Sequence, residues 1–172
     1  MITILDFEAS GLEEESYPIQ VAWNIGEKVT SFLLNPETAE GWDWWNSESE
    51  LVHGIPRAFL IEHGHDVSYV ASVMLEQLSE RLVYSDAVSY DSFWCHRLFE
   101  ASGVQEKLQW RDFWLRINEE RPDSIPSSTS WECGEWRRQL KEEALRNVIL
   151  PEHKADNDVR IRMEIFRLAT SG

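Results

Sequence analysis

Five residues of this sequence are of types that could share one piece of chemistry: Asp6, Glu8, Asp91, His153 and Asp158. Asp6 and Glu8 stand two apart in the opening run Met1-Ile-Thr-Ile-Leu-Asp6-Phe-Glu8-Ala-Ser-Gly11. The run reads as a buried central strand, along which side chains alternate faces, so the two carboxylates point the same way. Side by side they repel each other and are costly to desolvate, and a cation makes sense of them. Mg2+ and Mn2+ are the natural choices, because hard ions prefer carboxylate oxygens. Taken alone, the pair is equally well a solvated strand end. Asp91 follows a short strand and either caps the next helix or faces the first pair as another ligand. His153 and Asp158 stand five apart across a helix start, and what gives the histidine weight is its company.

These residues need elements to bring them together. Ile19–Ile25 and Lys28–Leu34 read as two further strands after an acidic connection at Glu13–Pro18, with a turn at Gly26, so that three strands form an antiparallel meander. Residues 36–65 read as loop-rich. Trp42, Trp44 and Trp45 there suit either a flap over a substrate end or a loop pinned by its tryptophans, and His63-Gly-His65 reads as ordinary loop. From Asp66 the period changes: Val67, Val70, Ala71, Met74, Leu75, Leu78 and Leu82 form a helical core stripe with Asp66 or Ser68 at its start. Leu82–Tyr84 is the next expected strand, Ser92–Phe99 a helix capped by Asp91 or Ser92, and Leu108–Leu115 a strand. A long loop over 118–130 leads to a mixed-charge helix at 131–146. A terminal helix starts near Asp156 or Asn157, carries Asp158 in its first turn, and packs through Val159, Met163, Phe166 and Ala169. Parallel strands joined by helices bring such strand ends to one edge of the sheet, where ligands of open α/β folds bind.

At 172 residues the expectation is one domain over 1–172. Cys95 and Cys133 belong to no CxxC pair, which argues against a disulfide framework or a structural zinc site. No basic leader and no apolar run of membrane-spanning length is present, so a soluble cytoplasmic protein with no membrane partner is expected. A net charge of −15 and a pI near 4.7 argue against coating long nucleic acid through a basic surface. They are compatible with engaging a short terminus. Nine tryptophans could stack on unpaired bases, although most are expected in the core or at its rim.

Taken in order, Asp6-Phe-Glu8-Ala-Ser-Gly11, Asp86-Ala-Val-Ser-Tyr-Asp91 and His153-Lys-Ala155-Asp-Asn-Asp158 resemble the three motifs of the DEDDh, or DnaQ-like, 3'-5' exonuclease superfamily. Val52-His53-Gly54-Ile55 is similar to a segment found there between the first and second motifs. One departure stands out: Asp86 occupies the position where that family commonly has Asn. The resemblance implies a ribonuclease-H-like α/β fold, a mixed sheet of three antiparallel strands followed by parallel ones, flanked by helices. It further implies that Asp6, Glu8, Asp91 and Asp158 hold two Mg2+ or Mn2+ ions, with His153 as general base. The substrate would be a single-stranded or frayed nucleic acid 3' end, cut to nucleoside 5'-monophosphates. By position, Phe7, Ser10 and Leu12, and more weakly His53 and Ile55, would meet the terminal nucleotide. A homodimer is a further implication. Two other readings stay open: a hydrolase of very short oligonucleotides or small phosphodiesters, and a catalytically idle acidic interaction module on the same fold.

Overall fold

The opening strand β1, Thr3–Ala9, alternates between two different interiors. Leu5 and Phe7 join one apolar cluster, while Ile4 joins another on the opposite face of the sheet. Asp6 and Glu8 continue the Ile4 face toward the strand's C-terminal end, so the carboxylates share a side as period-two alternation requires. The structure, a computed structural model, describes residues 1–171.

β1 pairs antiparallel with β2, Pro18–Ile25, which pairs antiparallel with β3, Lys28–Leu33. On its other side β1 pairs parallel with β4, Leu82–Ser85, which pairs parallel with β5, Gln109–Asp112. The five-stranded sheet therefore runs β3-β2-β1-β4-β5, with the acidic strand in the middle. This is the mixed ribonuclease-H-like order expected from the sequence.

Helices cover both faces. α3, Val67–Leu78, and α4, Val88–Ser102, pack with Leu5, Phe7, Ile19, Val21, Trp23 and Val83. α6, Trp131–Val148, and α7, Ala155–Thr170, pack with Ile4, Ala22 and Tyr84. On α7 the fully buried positions are Ala155, Val159, Ile161 and Ile165, while the expected Met163 and Phe166 are half-buried beside them.

Three sequence expectations change. Residues 36–65 are not mainly loop: they hold a single 3-10 turn, Pro36–Thr38, and two short helices, α1, Ser47–His53, and α2, Arg57–His63. Asn46 starts α1 by accepting from the Glu48 and Ser49 amides, and Gly54 ends it at φ 60°, a conformation that favours glycine. The expected strand over 108–115 stops at Asp112, whose side chain accepts from the Leu115 amide at 2.7 Å and opens α5, Phe113–Glu119. The helix expected from Ser92 begins at Val88, so Asp91 lies inside its first turn and does not cap it. Ser85 explains the earlier start, since its hydroxyl accepts from the Ala87 amide at 2.9 Å and turns the chain straight into α4.

Candidate metal centre and substrate cleft

The four acidic side chains reach the centre from three elements. Asp6 and Glu8 come from β1, Asp91 from the first turn of α4, and Asp158 from the first turn of α7. The start of α7 is tied to the sheet by Gln20 on β2. Its side-chain oxygen accepts from the Ala155 amide at 3.1 Å, and its nitrogen donates to Asp156 Oδ1 at 3.2 Å. Asp158 in turn accepts from the His153 amide at 3.0 Å, which holds His153 at φ 63° in the turn before the helix. The histidine ring stays exposed at the mouth of the site.

Carboxylate oxygens of Asp6, Glu8 and Asp158 lie within 4.8 Å of one another. A second set, Asp6, Asp86 and Asp91, meets the same limit. The first set is a fitting donor group for a hard divalent ion: three carboxylates from two elements, converging at a partly open strand end. Burial raises the Asp6 carboxyl well above the ordinary range, with Asp91, Asp158 and Glu8 adding to the rise and Arg162 opposing it. Burial likewise pushes Glu8 up to about 8, with the Asp158 charge next in importance. Asp158 moves in the same direction. Carboxylates crowded at this cost in a water-poor site are what a bound cation relieves.

Asp91 is held differently. One of its oxygens accepts from the Phe7 amide at 3.3 Å, and the other accepts from the Ser85 hydroxyl in a short hydrogen bond. Burial still carries its carboxyl up to about 7, against the lowering effect of Ser85.

Sequence reasoning missed Arg162. It stands one helical turn beyond Asp158 on α7, and (i, i+4) residues share a helix face, which was the available signal. Its guanidinium lies 3.1 Å from Asp6 Oδ1 and 2.5 Å from Asp86 Oδ1. Asp86, standing where the resembled motif has Asn, is thus the arginine's ion-pair partner. Despite burial, the Asp6, Asp86 and Asp158 charges keep Arg162 protonated at any working pH.

Beside the carboxylates opens a cleft of about 230 Å3 lined by Phe7, Glu8, Gly11, Leu12, Val52, His53, Trp94 and His153, among others. Leu12 and Val52 are 64% and 59% exposed, an uncovered apolar lip over the cleft. Of the residues expected to meet a terminal nucleotide, Phe7, Leu12 and His53 line this cleft. Ser10 instead turns inward, where its hydroxyl accepts from the Tyr17 amide at 3.1 Å. Ile55 is buried in the core, its amide donating to His53 Nδ1 at 3.1 Å. That bond leaves the proton of the neutral ring on Nε2, a buried donor with no partner among the described residues. Burial holds the His53 pKa down near 4, so the ring is neutral under ordinary conditions. Val52 and Trp94 also line the cleft, at positions not expected to meet substrate. Trp42 is buried and stacked on Tyr17, whereas Trp44 covers Gly11 and Trp45 donates to Glu50 at 2.7 Å. The tryptophan-rich segment thus both pins the fold and walls the site.

No protein-family model matches the sequence, and no curated protein does either. Solved structures do. A zinc-bound complex of Escherichia coli exonuclease I with single-stranded DNA superimposes with a TM-score of 0.63 at 16% identity, over 99% of this chain and 40% of that one. The chain has the fold of the part of exonuclease I on which it superimposes. The same enzyme with a dT13 oligonucleotide gives a TM-score of 0.65 at 16% identity, over 99% of this chain and 41% of that one. Exonuclease I from Methylocaldum szegediense gives 0.63 at 17% identity, over 97% and 40%. The present chain therefore spans about two fifths of the length of the exonuclease I structures it matches. Among the described residues, no helix is long and apolar enough to cross a membrane.

Proposed function

We propose that the chain is a metal-dependent 3'-5' exonuclease, acting on single-stranded or frayed 3' ends and releasing nucleoside 5'-monophosphates. The observation that carries this reading is the convergence of Asp6, Glu8 and Asp158 within 4.8 Å, next to a cleft that His153 also lines. It is supported by the exonuclease I fold and by the single-stranded DNA held in several of those structures.

Mg2+ or Mn2+ bound by these carboxylates would supply Lewis acidity, acidifying a water and offsetting charge on the phosphate. The protein's own residues do the rest. His153, exposed beside Glu8, accepts the proton of the attacking water at an imidazole nitrogen, a task suited to histidine near neutral pH. Water oxygen bonds to phosphorus as the bond to the 3' oxygen of the preceding nucleotide breaks, leaving the phosphate on the 5' side of the released unit. Phe7, Leu12 and Val52 offer apolar surface to the terminal base. His53 Nε2 offers a hydrogen-bond donor, and Asp91 ties α4 to β1 through the Phe7 amide and to β4 through the Ser85 hydroxyl.

The test is digestion of matched single-stranded DNA and RNA labelled at the 5' end, with Mg2+, with Mn2+ and with chelator. A metal-dependent ladder shortening from the 3' end is the expected result, and its absence on both polymers sinks the reading. A second reading, hydrolysis of very short oligonucleotides, is favoured by the charge of −15 and the small cleft. Equal or faster cleavage of a two-nucleotide substrate than of a twenty-nucleotide strand would select it. No cleavage of any length together with no metal binding would leave the idle interaction module.

A further inference from the structure

The two carboxylate sets share Asp6 but differ in what stands among them. In the set of Asp6, Glu8 and Asp158, Arg162 ion-pairs with Asp6 alone and, among the described residues, no cationic side chain bridges two of its members. In the set of Asp6, Asp86 and Asp91, the Arg162 guanidinium joins the first two directly, at 3.1 Å and 2.5 Å. Both oxygens of the third member, Asp91, already accept from Phe7 and Ser85. Arg162 Nη1 is itself buried and, although within ion-pair reach of Asp6, has no hydrogen bond of good geometry among the described residues. A divalent ion in this set would need to lie about 2.0–2.6 Å from its oxygens, in space the guanidinium holds. The arginine is fixed there by its place one turn after Asp158 and by Asp86 as anchor, and its planar fork suits bridging two carboxylates.

We propose that Arg162 occupies the second cation position of this centre, so that the chain loads a single divalent ion, at Asp6, Glu8 and Asp158, with the guanidinium as the fixed second positive charge. This rests on the metal-dependent nuclease reading and replaces the two ions expected from sequence resemblance with one ion and one arginine. It also accounts for Asp86. An aspartate where the resembled motif has Asn serves as the counter-charge that a buried arginine requires.

The test is Mn2+ titration of the full chain, followed by electron paramagnetic resonance, with and without a nucleoside 5'-monophosphate. Wild type is expected to bind one Mn2+ per chain with no spin-coupled pair in either condition. Arg162→Met is expected to bind two and to show the coupled-pair signal. Asp86→Asn keeps the arginine but removes its anchor, and is expected to gain part of the second occupancy. Should the arginine variant fail to fold, that second variant decides. Two ions in wild type would overturn the assignment of Arg162 while leaving the metal-dependent reading intact. One ion in wild type and in both folded variants would overturn it as well, since the arginine would then not be what limits the count. No ion in wild type would remove both this inference and the nuclease reading beneath it.

Discussion

Asp6 is the residue on which the centre turns, being common to both carboxylate sets and paired with Arg162. Asp6→Asn keeps the shape and removes the charge. We expect it to lower hydrolysis by at least about 10^3-fold, consistent with loss of metal-based electrostatic stabilisation, while circular dichroism and melting stay near wild type. Full activity in that variant would remove the carboxylate centre from the mechanism. His153→Ala should cut turnover by about 10^2–10^4-fold, the usual worth of general base catalysis, and leave Mn2+ affinity nearly unchanged. A parallel loss of affinity would make the histidine a ligand instead. Protonation gives a third expectation. Native Glu8 titrates near 8 and Asp91 near 7, above the ordinary 4.5 and 3.8. Between about pH 4 and 8 the folded state therefore holds protons that the unfolded chain has released, and stability falls as pH rises through that window. Metal-free protein should melt higher at pH 5.5 than at pH 8.5, and saturating Mn2+ should remove or reverse the trend, because the ion stands in for the protons. A metal-free melting temperature that climbs with pH across this range would contradict the burial described for these carboxylates.

At the scale of elements, what matters is how α7 is registered on the sheet. His153 and Asp158 flank its start, and the start is held by one buried side chain, Gln20, bonded to Ala155, Asp156 and Ser31. Gln20→Ala would leave the buried Ala155 amide without its partner, costing about 1–3 kcal/mol. It would also loosen Asp158 relative to Asp6. We expect a lower denaturation midpoint together with weaker Mn2+ binding, measured by urea unfolding and metal titration. Lost stability with unchanged metal affinity would show that α7 is positioned by its apolar face alone. Lys154 adds a second tie, its ammonium donating to the His53 carbonyl at 2.5 Å, so that α1 and the start of α7 close on the cleft together.

At the scale of the whole molecule, charge is what constrains the substrate. A formal charge of −15 disfavours neutralising a long run of phosphates. Binding should depend on the centre and the last one or two nucleotides. The logarithm of kcat/KM on a single strand should then fall with the logarithm of salt at a slope of about −0.7 to −1.4, given roughly 0.7 counterions released per phosphate contact. A steep slope would reveal an extended basic track. The chain spans about two fifths of the exonuclease I structures it matches, and the salt slope is the quantity most directly set by contacts beyond the centre itself.

Much of this is legible in the sequence. Strict alternation in β1 put Asp6 and Glu8 on one face, the change to helical period at Asp66 marked α3, and Asp158 was placed in the first turn of α7, because each of these follows from local periodicity. Local signals failed where a distant partner decided the outcome. The start of α4 depends on how the Ser85 hydroxyl bonds Ala87 and Asp91, and β5 ends where the Asp112 side chain turns back to cap α5. Arg162 shows the limit most plainly. Its sequence position puts it on the face of Asp158, but the counter-charge 76 residues away at Asp86, and the reach to Asp6 on a different element, exist only once α7 lies across the sheet. Periodicity is a property of neighbours along the chain, and it could determine which face each acid occupies. Desolvation and ion pairing are properties of neighbours in space, and only the tertiary structure could bring an arginine among those acids.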